Sequence, residues 1–392
     1  MSGIPTAARE TVPVRPQAER RPAPAGRDAR PVPATVISDW SVLSPYGLGV
    51  EPFTEGVRAR RAVVPRLDLE AWPGPSELAC LIPGFSVTEA LGSRGTRTMD
   101  RLTGITVATL SALLEPYGTS RPPLADGPER IGLVLGTGSG SVQSTMDFTR
   151  DSLTGAQPFY VDPALFPNTV MNRAAGASAI WHGLKGPNAT LAGGPLTGLQ
   201  ALRYAARLRE RGHGEVMLCG AVEEYSVQRA WLDWHARGPG RRDVPVAEGC
   251  AMFLLEDTAS AERHGRRPRA EILSARFSAC GGPGELRPAL ARLVRLALAE
   301  AGVEPDEVRV TAPSGVSARQ EEVAALDEVL GGAEDERVEV RDLFGDACAA
   351  SAGFQLGAVL ALRDSGAVGG GVAVVTSVDE DGLLACTTVR LL

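Results

Sequence analysis

Short apolar runs alternate along this chain with longer amphipathic segments, and they do so twice over. The first series comprises IGLVLG at 131–136, NATLAG at 188–193, a helix over 196–211, EVMLCG at 215–220 and CAMFLLED at 250–257. The second passes from a helix at 285–302 through EVRVTAP, a helix at 317–330, VEVRDLFG and a helix at 348–363 to a hairpin-like pair, GVAVVTS and LLACTTVRLL. Runs that are apolar throughout, rather than at every second position, belong to strands covered on both faces. Interleaved helices supply that cover, so the pattern predicts an α/β protein. Two successive series predict a duplicated, layered fold.

Length and composition bound the function. The chain has 392 residues, 44% of them hydrophobic, enough for one large domain or two intimately packed ones. No run of about 18 apolar residues is present to span a bilayer, and the N-terminus lacks the apolar block of a secretory signal. A cytoplasmic protein with no membrane partner is therefore expected. Residues 1–34 are rich in Pro, Arg and Ala with almost nothing to bury, and are expected to form a disordered extension. The six cysteines, Cys80, Cys219, Cys250, Cys280, Cys348 and Cys386, form no CxxC pair and no cysteine–histidine cluster spaced for zinc. They read as small reduced core residues, with no metal expected. A formal charge of −7 argues against a nucleic-acid partner, and Lys185 is the only lysine among 40 basic residues.

One stretch poses a chemical question. GPNATLAGGPLTGLQALRYA, residues 186–205, reads as a strand, a glycine turn and a helix opening at Pro195. That geometry presents a nucleophile at a helix N-terminus, where the dipole favours its anion. Pro195 stands at the tip and offers none.

These residues carry a resemblance. GPNATLAGGPLTGLQALRYAARL followed by EVMLCGAVEE resembles the nucleophile region of β-ketoacyl synthases, the condensing enzymes of fatty-acid and polyketide synthesis. VTAPSGVSARQEEVAALDEVLG resembles their first histidine segment, VRDLFGDACAASAGFQLGAVLAL their lysine and second histidine segment, and VVTSVDEDGLLACTTV their C-terminal glycine-rich strand. The similarity covers roughly residues 35–392 in the same order, more than one short motif can claim. It implies an α/β thiolase-like fold, two duplicated αβα halves forming a five-layered αβαβα core, with halves at 35–270 and 271–392.

The resemblance also says what is missing. Counted from Gly186 and Pro187, the family's acyl-accepting cysteine falls on Pro195, and its two histidines fall on Pro313 and Asp346. The lysine position falls on Arg341, and the Gly-Phe-Gly-Gly turn reads Val378, Asp379, Glu380, Asp381, Gly382. Condensation needs a thiolate to carry the acyl group and imidazoles to promote decarboxylation and steady the enolate. Proline has neither group, and it lacks the backbone N–H that serves as an oxyanion donor at this position in the family. The implied function is a non-catalytic chain length factor, the ketosynthase β subunit of bacterial type II polyketide synthases. Its implied partners are an active ketosynthase α subunit in a heterodimer and an acyl carrier protein bearing the acyl or malonyl chain; no cofactor is implied. Residues near 158–195 are expected to be buried against the ketosynthase. In such subunits the helix after IGLVLGTGSG lines the far end of the acyl tunnel, with gating positions at Val142, Thr145 and Thr149 and Met146 beside them. The segment 158–188 leans toward fatty-acid-type synthases and so toward a reduced or polyene product.

Other readings stand beside these. A divergent acyltransferase or hydrolase would use Ser314, Ser317 or Cys348. Gly136-Thr137-Gly138-Ser139-Gly140 reads as a turn and not a phosphate cradle, since its spacing is not GxGxxG. Arg341 and Asp346 read as an ion pair standing where catalytic groups were lost. His182, His213, His235 and His264 form no HxxxH or HExxH pattern and read as structural. The basic run ERHGRRPR at 262–269 reads as a solvated loop, with docking of an acidic carrier protein as its functional alternative.

Overall fold

The sheet topology repeats. In the computed structural model, which describes residues 33–63, 66–117, 124–237, 244–315, 319–332 and 334–392, ten main strands run through one mixed sheet. The first half contributes β1 (Thr35–Ser44), β2 (Ile131–Thr137), β3 (Asn188–Ala192), β4 (Val216–Glu223) and β5 (Gly249–Asp257). The second contributes β6 (Ala270–Ala279), β7 (Val308–Ala312), β8 (Glu336–Arg337), β9 (Gly371–Val378) and β10 (Leu383–Leu391). Their spatial order is β8-β7-β9-β10-β6-β1-β5-β4-β2-β3. Read outward from the β6–β1 junction, each half has the same path: first, fifth, fourth, second and third strand. The halves join where Val36 and Ile37 of β1 pair antiparallel with Glu271 and Ala270 of β6.

Six helices matter to the site: α1 (Arg101–Leu114), α2 (Val142–Thr154), α3 (Thr197–Glu210), α4 (Val227–Ala236), α5 (Leu286–Ala301) and α6 (Ser351–Asp364). Alternation along the strands sorts side chains between layers. In β4, Val216, Leu218 and Val222 pack with α1, while Met217 and Cys219 face the central core holding α3 and α6. In β9, Val372, Val374 and Val378 pack with α5, while Ala373 and Val375 face the same central core. The two faces of the strands thus line different apolar cores, and the one holding α3 and α6 is shared by both halves. The central helices meet through glycine, because a Cβ added at Gly198 would lie 2.7 Å from the Gly353 nitrogen. Each fully buried leucine at that junction, such as Leu199, Leu202 or Leu356, contributes about 2 kcal/mol of hydrophobic stabilisation.

Two readings of the sequence need correction. VEVRDLFG is not a strand: only Glu336 and Arg337, just before it, pair with β7, and Val340–Phe344 forms a short helix. Val340, Leu343 and Phe344 are buried at helical spacing, which outweighs the local β-branched character. The helix of the nucleophile segment begins at Thr197, and Pro195 lies one step earlier in a 3-10 turn, Gly194–Leu196. The other segments form where their patterns indicated, and Gly371–Val378 and Leu383–Leu391 are antiparallel neighbours. Most of the extension, residues 1–32, and Ser317 lie outside the described residues. Among the described residues no helix is long and apolar enough to cross a membrane.

Candidate functional site

The turn at Pro195 is built by two glycines. Gly194 has φ +62°, a left-handed conformation that glycine adopts without strain, and a Cβ on Gly193 would strike Gln200 Oε1 at 2.6 Å. The Thr197 hydroxyl donates to the Gly194 carbonyl at 2.6 Å, closing the turn in front of α3. Proline suits this place because the first N–H groups of a helix have no partner within it. The turn packs against a second one, Cys348–Ala350, which opens α6. The duplication thus brings the starts of both central helices together.

Asp346 is committed to ion pairs. Its Oδ2 lies 3.2 Å from Arg341 Nη2 and 3.0 Å from Arg237 Nη2, and its Oδ1 accepts from the Cys348 N–H at 2.8 Å. Burial pulls this carboxyl up, but Arg341 and Arg237 outweigh it, and the acid sits below its ordinary value. Arg341 Nη1 also donates to the Gly315 carbonyl at 3.0 Å, so the pair ties the loop after β7 to the loop before α6. Pro313 is buried at the end of β7. A carboxylate locked between two guanidiniums is a poor proton donor or acceptor, because its charged form is the favoured one.

At the end of β4 and the start of β5 lie buried acidic side chains that the sequence reading did not single out. Glu223 accepts from the Gly138 N–H at 3.1 Å, so that donor of the glycine loop 136–140 is already taken and not offered to a phosphate. Glu248, with its side chain fully buried, accepts from Arg101 Nε at 2.8 Å and Nη2 at 2.5 Å, and from the backbone N–H groups of Ile82 and Tyr225 at 2.9 and 3.0 Å. Glu224 accepts from Leu102 N–H, Ser141 Oγ–H and Gln143 N–H. Burial, and secondarily Asp100, push its carboxyl up to about 8. The signal for these buried side chains was two adjacent acids, Glu223 and Glu224, directly after an otherwise apolar buried strand.

The helix expected to carry the gate is α2, with Ser141 as its N-cap, accepting from Ser144 N–H at 3.2 Å. Val142 is buried, whereas Thr145, Met146 and Thr149 are exposed on this chain. The Thr145 hydroxyl donates to the Ser141 carbonyl at 3.0 Å and the Thr149 hydroxyl to the Thr145 carbonyl at 2.7 Å. Both threonines therefore spend their donors on the helix itself. Gly140 enters α2 at φ +69°, where a Cβ would lie 3.1 Å from Met171 Cα.

The family described as beta-ketoacyl synthase, N-terminal domain, matches residues 40–261, more than half of the chain. The chain belongs to the beta-ketoacyl synthase family. The solved structure described as the ishigamide ketosynthase/chain length factor resembles this family member with a TM-score of 0.84 at 38% identity, covering 92% of this chain and 99% of that one. A putative polyketide beta-ketoacyl synthase 2 of Streptomyces halstedii is 29% identical over 318 residues, 76% of each chain. A complex described as AntDE:AntF, a type II PKS acyl-carrier protein with its ketosynthase bound to the hexaketide, shares the fold at 16% identity and a TM-score of 0.75, covering 92% of this chain and 99% of that one. The fold is the thiolase-like α/β fold of these ketosynthases.

Against that family background, the substitute nucleophiles fare poorly. Burial pushes the Cys348 thiol well above its ordinary value, and the Glu223 carboxylate beside it adds to the effect, so the thiolate is disfavoured. The Ser314 hydroxyl donates to Glu322 Oε2 at 2.7 Å, but that buried carboxylate also takes the Ser314 N–H, the Gly315 N–H and the Thr376 hydroxyl. It is a latch for the loop after β7. The basic run 262–269 is not a solvated loop: Arg266 is buried and bidentate to Glu256 at 2.6 Å, Arg263 pairs with Glu215, and Arg269 with Asp364. Three of its four guanidiniums thus meet acids on β5, before β4 and on α6, while Arg267 is exposed; the run of sequence alone did not reveal these pairings. Of the histidines, His264 is buried on the Ser260 carbonyl, and His235 stacks on Trp231. Burial lowers the His182 imidazole below its ordinary value. Among the described residues no group of three or more His, Cys, Asp or Glu side chains converges as a metal site.

Proposed function

We propose that this chain is a non-catalytic chain length factor, which pairs with an active ketosynthase and shapes the tunnel that sets the length of a polyketide or polyene chain. The observation that carries the reading is the combination of an intact ketosynthase fold with Pro195, Pro313 and Asp346 at the cysteine and two histidine positions. The ion pairing of Asp346 and the raised thiol of Cys348 argue against a relocated mechanism.

The surface supports a partner. β3 ends the sheet with hydrogen bonds on one side only, and an unpaired edge is a template for another chain. Leu153, Phe159, Tyr160, Phe166 and Ile180 are each more than half exposed. Large apolar side chains left in water suit burial against a partner. The similarity to a ketosynthase/chain length factor makes a ketosynthase the partner we infer, with an acyl carrier protein delivering the chain. An interface above roughly 2,000 Å² would suit such an obligate pair.

In this reading, Val142, Thr145, Met146 and Thr149 form the gate, with methyl and methylene groups toward the tunnel because the threonine hydroxyls are satisfied on the helix. The test is reconstitution with acyl and malonyl carrier proteins. The complex should extend chains and this chain alone should not. Extension or acyl transfer by the lone chain would instead favour an acyltransferase.

A further inference from the structure

Two helices that the gate reading needs in fixed relation, α1 and α2, begin at the same side chain. Glu224 follows the last residue of β4 and is fully buried. Its Oε2 accepts from the Leu102 N–H at 3.1 Å, in the first turn of α1. Its Oε1 accepts from the Ser141 hydroxyl at 2.9 Å and the Gln143 N–H at 3.4 Å, at the cap and first turn of α2. Both helices already have a capping side chain, Asp100 for α1 and Ser141 for α2. A second carboxylate is therefore not needed to start either helix, but it is the group that joins the two starts.

The surroundings hold Glu224 still. Arg229 of α4 donates Nη1 to the Glu224 backbone carbonyl at 2.6 Å and to the Ala247 carbonyl at 3.2 Å. The charged groups around it are Asp100 and Arg101 from the start of α1, Glu223 from β4 and Arg229 from α4. Arg101 is taken up by Glu248, which leaves Glu224 free to serve the two helix termini. The two carboxyl oxygens meet two converging helix starts, whose first N–H groups have no partner within the helix. Gln228 on α4 adds a weaker tie further along α2, its Nε2 donating to Asp147 Oδ1 at 3.0 Å.

We propose that Glu224 is the positioning residue of the gate: one buried carboxylate clamps the start of α2 to the start of α1 and thereby fixes how far the Val142–Thr149 face reaches into the tunnel. The proposal rests on the gate reading given above. It follows that product length depends on a residue that never touches the acyl chain.

Amide hydrogen exchange and product analysis on the ketosynthase complex test it, using Glu224→Ala, Glu224→Gln and, for the gate itself, Val142→Trp. Glu224→Ala should speed exchange roughly tenfold at the amides of 102–104 and 143–145, the scale expected from losing a helix-start acceptor. It should also widen the distribution of product lengths. Glu224→Gln keeps the volume and one acceptor oxygen and should fall between, which also covers failure of the alanine variant to fold. If Val142→Trp shifts product length while both Glu224 variants leave the length distribution unchanged, the positioning role is overturned and the gate reading stands, whatever exchange does. If Val142→Trp leaves the length unchanged, the gate reading fails, and this proposal with it.

Discussion

Pro195 offers no nucleophile, yet the turn that holds it is intact. The turn Gly194–Leu196 tolerates proline because it needs no hydrogen bond from that nitrogen, and Thr197 closes it. Pro195→Cys should therefore fold yet not condense, because Pro313 and Asp346 still stand at the histidine positions. Chain extension by that variant without a partner, assayed with carrier-bound substrates, would refute the non-catalytic reading. Glu224 supplies a second expectation. Its carboxyl is raised from 4.5 to about 8, chiefly by burial, so its contribution to stability is complete below 4.5 and is lost as pH rises through about 8. Urea midpoints of wild type should fall relative to Glu224→Gln over that window; parallel curves would contradict the burial of this acid. Pro195, Pro313 and Asp346 could be singled out from the sequence because a family resemblance points to those positions. Glu223, Glu224 and Glu248 were not, because their partners Gly138, Leu102, Ser141 and Arg101 lie far away along the chain and only the fold brings them together.

The same contrast appears among the elements. Long periodic segments such as α3, α5 and α6 declared themselves, and so did the apolar strands β2, β4, β5 and β9. The short stretch VEVRDLFG misled because five to eight residues cannot separate strand from helix by composition. Its buried Val340, Leu343 and Phe344 in fact mark one helical face. The basic run 262–269 misled for another reason: its guanidiniums meet acids on β5, the β4 approach and α6 that no local pattern announces. For α2, helical spacing puts Val142, Thr145 and Thr149 on one face. In the proposed gate, tryptophan at Val142 or Thr145 would fill tunnel volume. The predicted outcome is a shorter product, read by mass spectrometry of the complex's output, with heterodimer assembly retained. Unchanged length in an assembled complex would move the gate elsewhere.

The molecule leaves large apolar side chains in water, Ile180 83% and Leu153 80% exposed, and among the described residues β3 is an end strand of the sheet. Expressed alone, the chain should self-associate or be poorly soluble, and coexpression with the ketosynthase should release it as a discrete pair, measured by size-exclusion with light scattering. A soluble monomer indifferent to the partner would contradict this. The central claim, a subunit that shapes a reaction without performing it, is tested most directly by intact-mass analysis of both subunits while the complex is turning over. The account predicts acyl adducts on the ketosynthase alone, with this chain at its unmodified mass throughout. An acyl adduct on this chain that forms and disappears with turnover would contradict it.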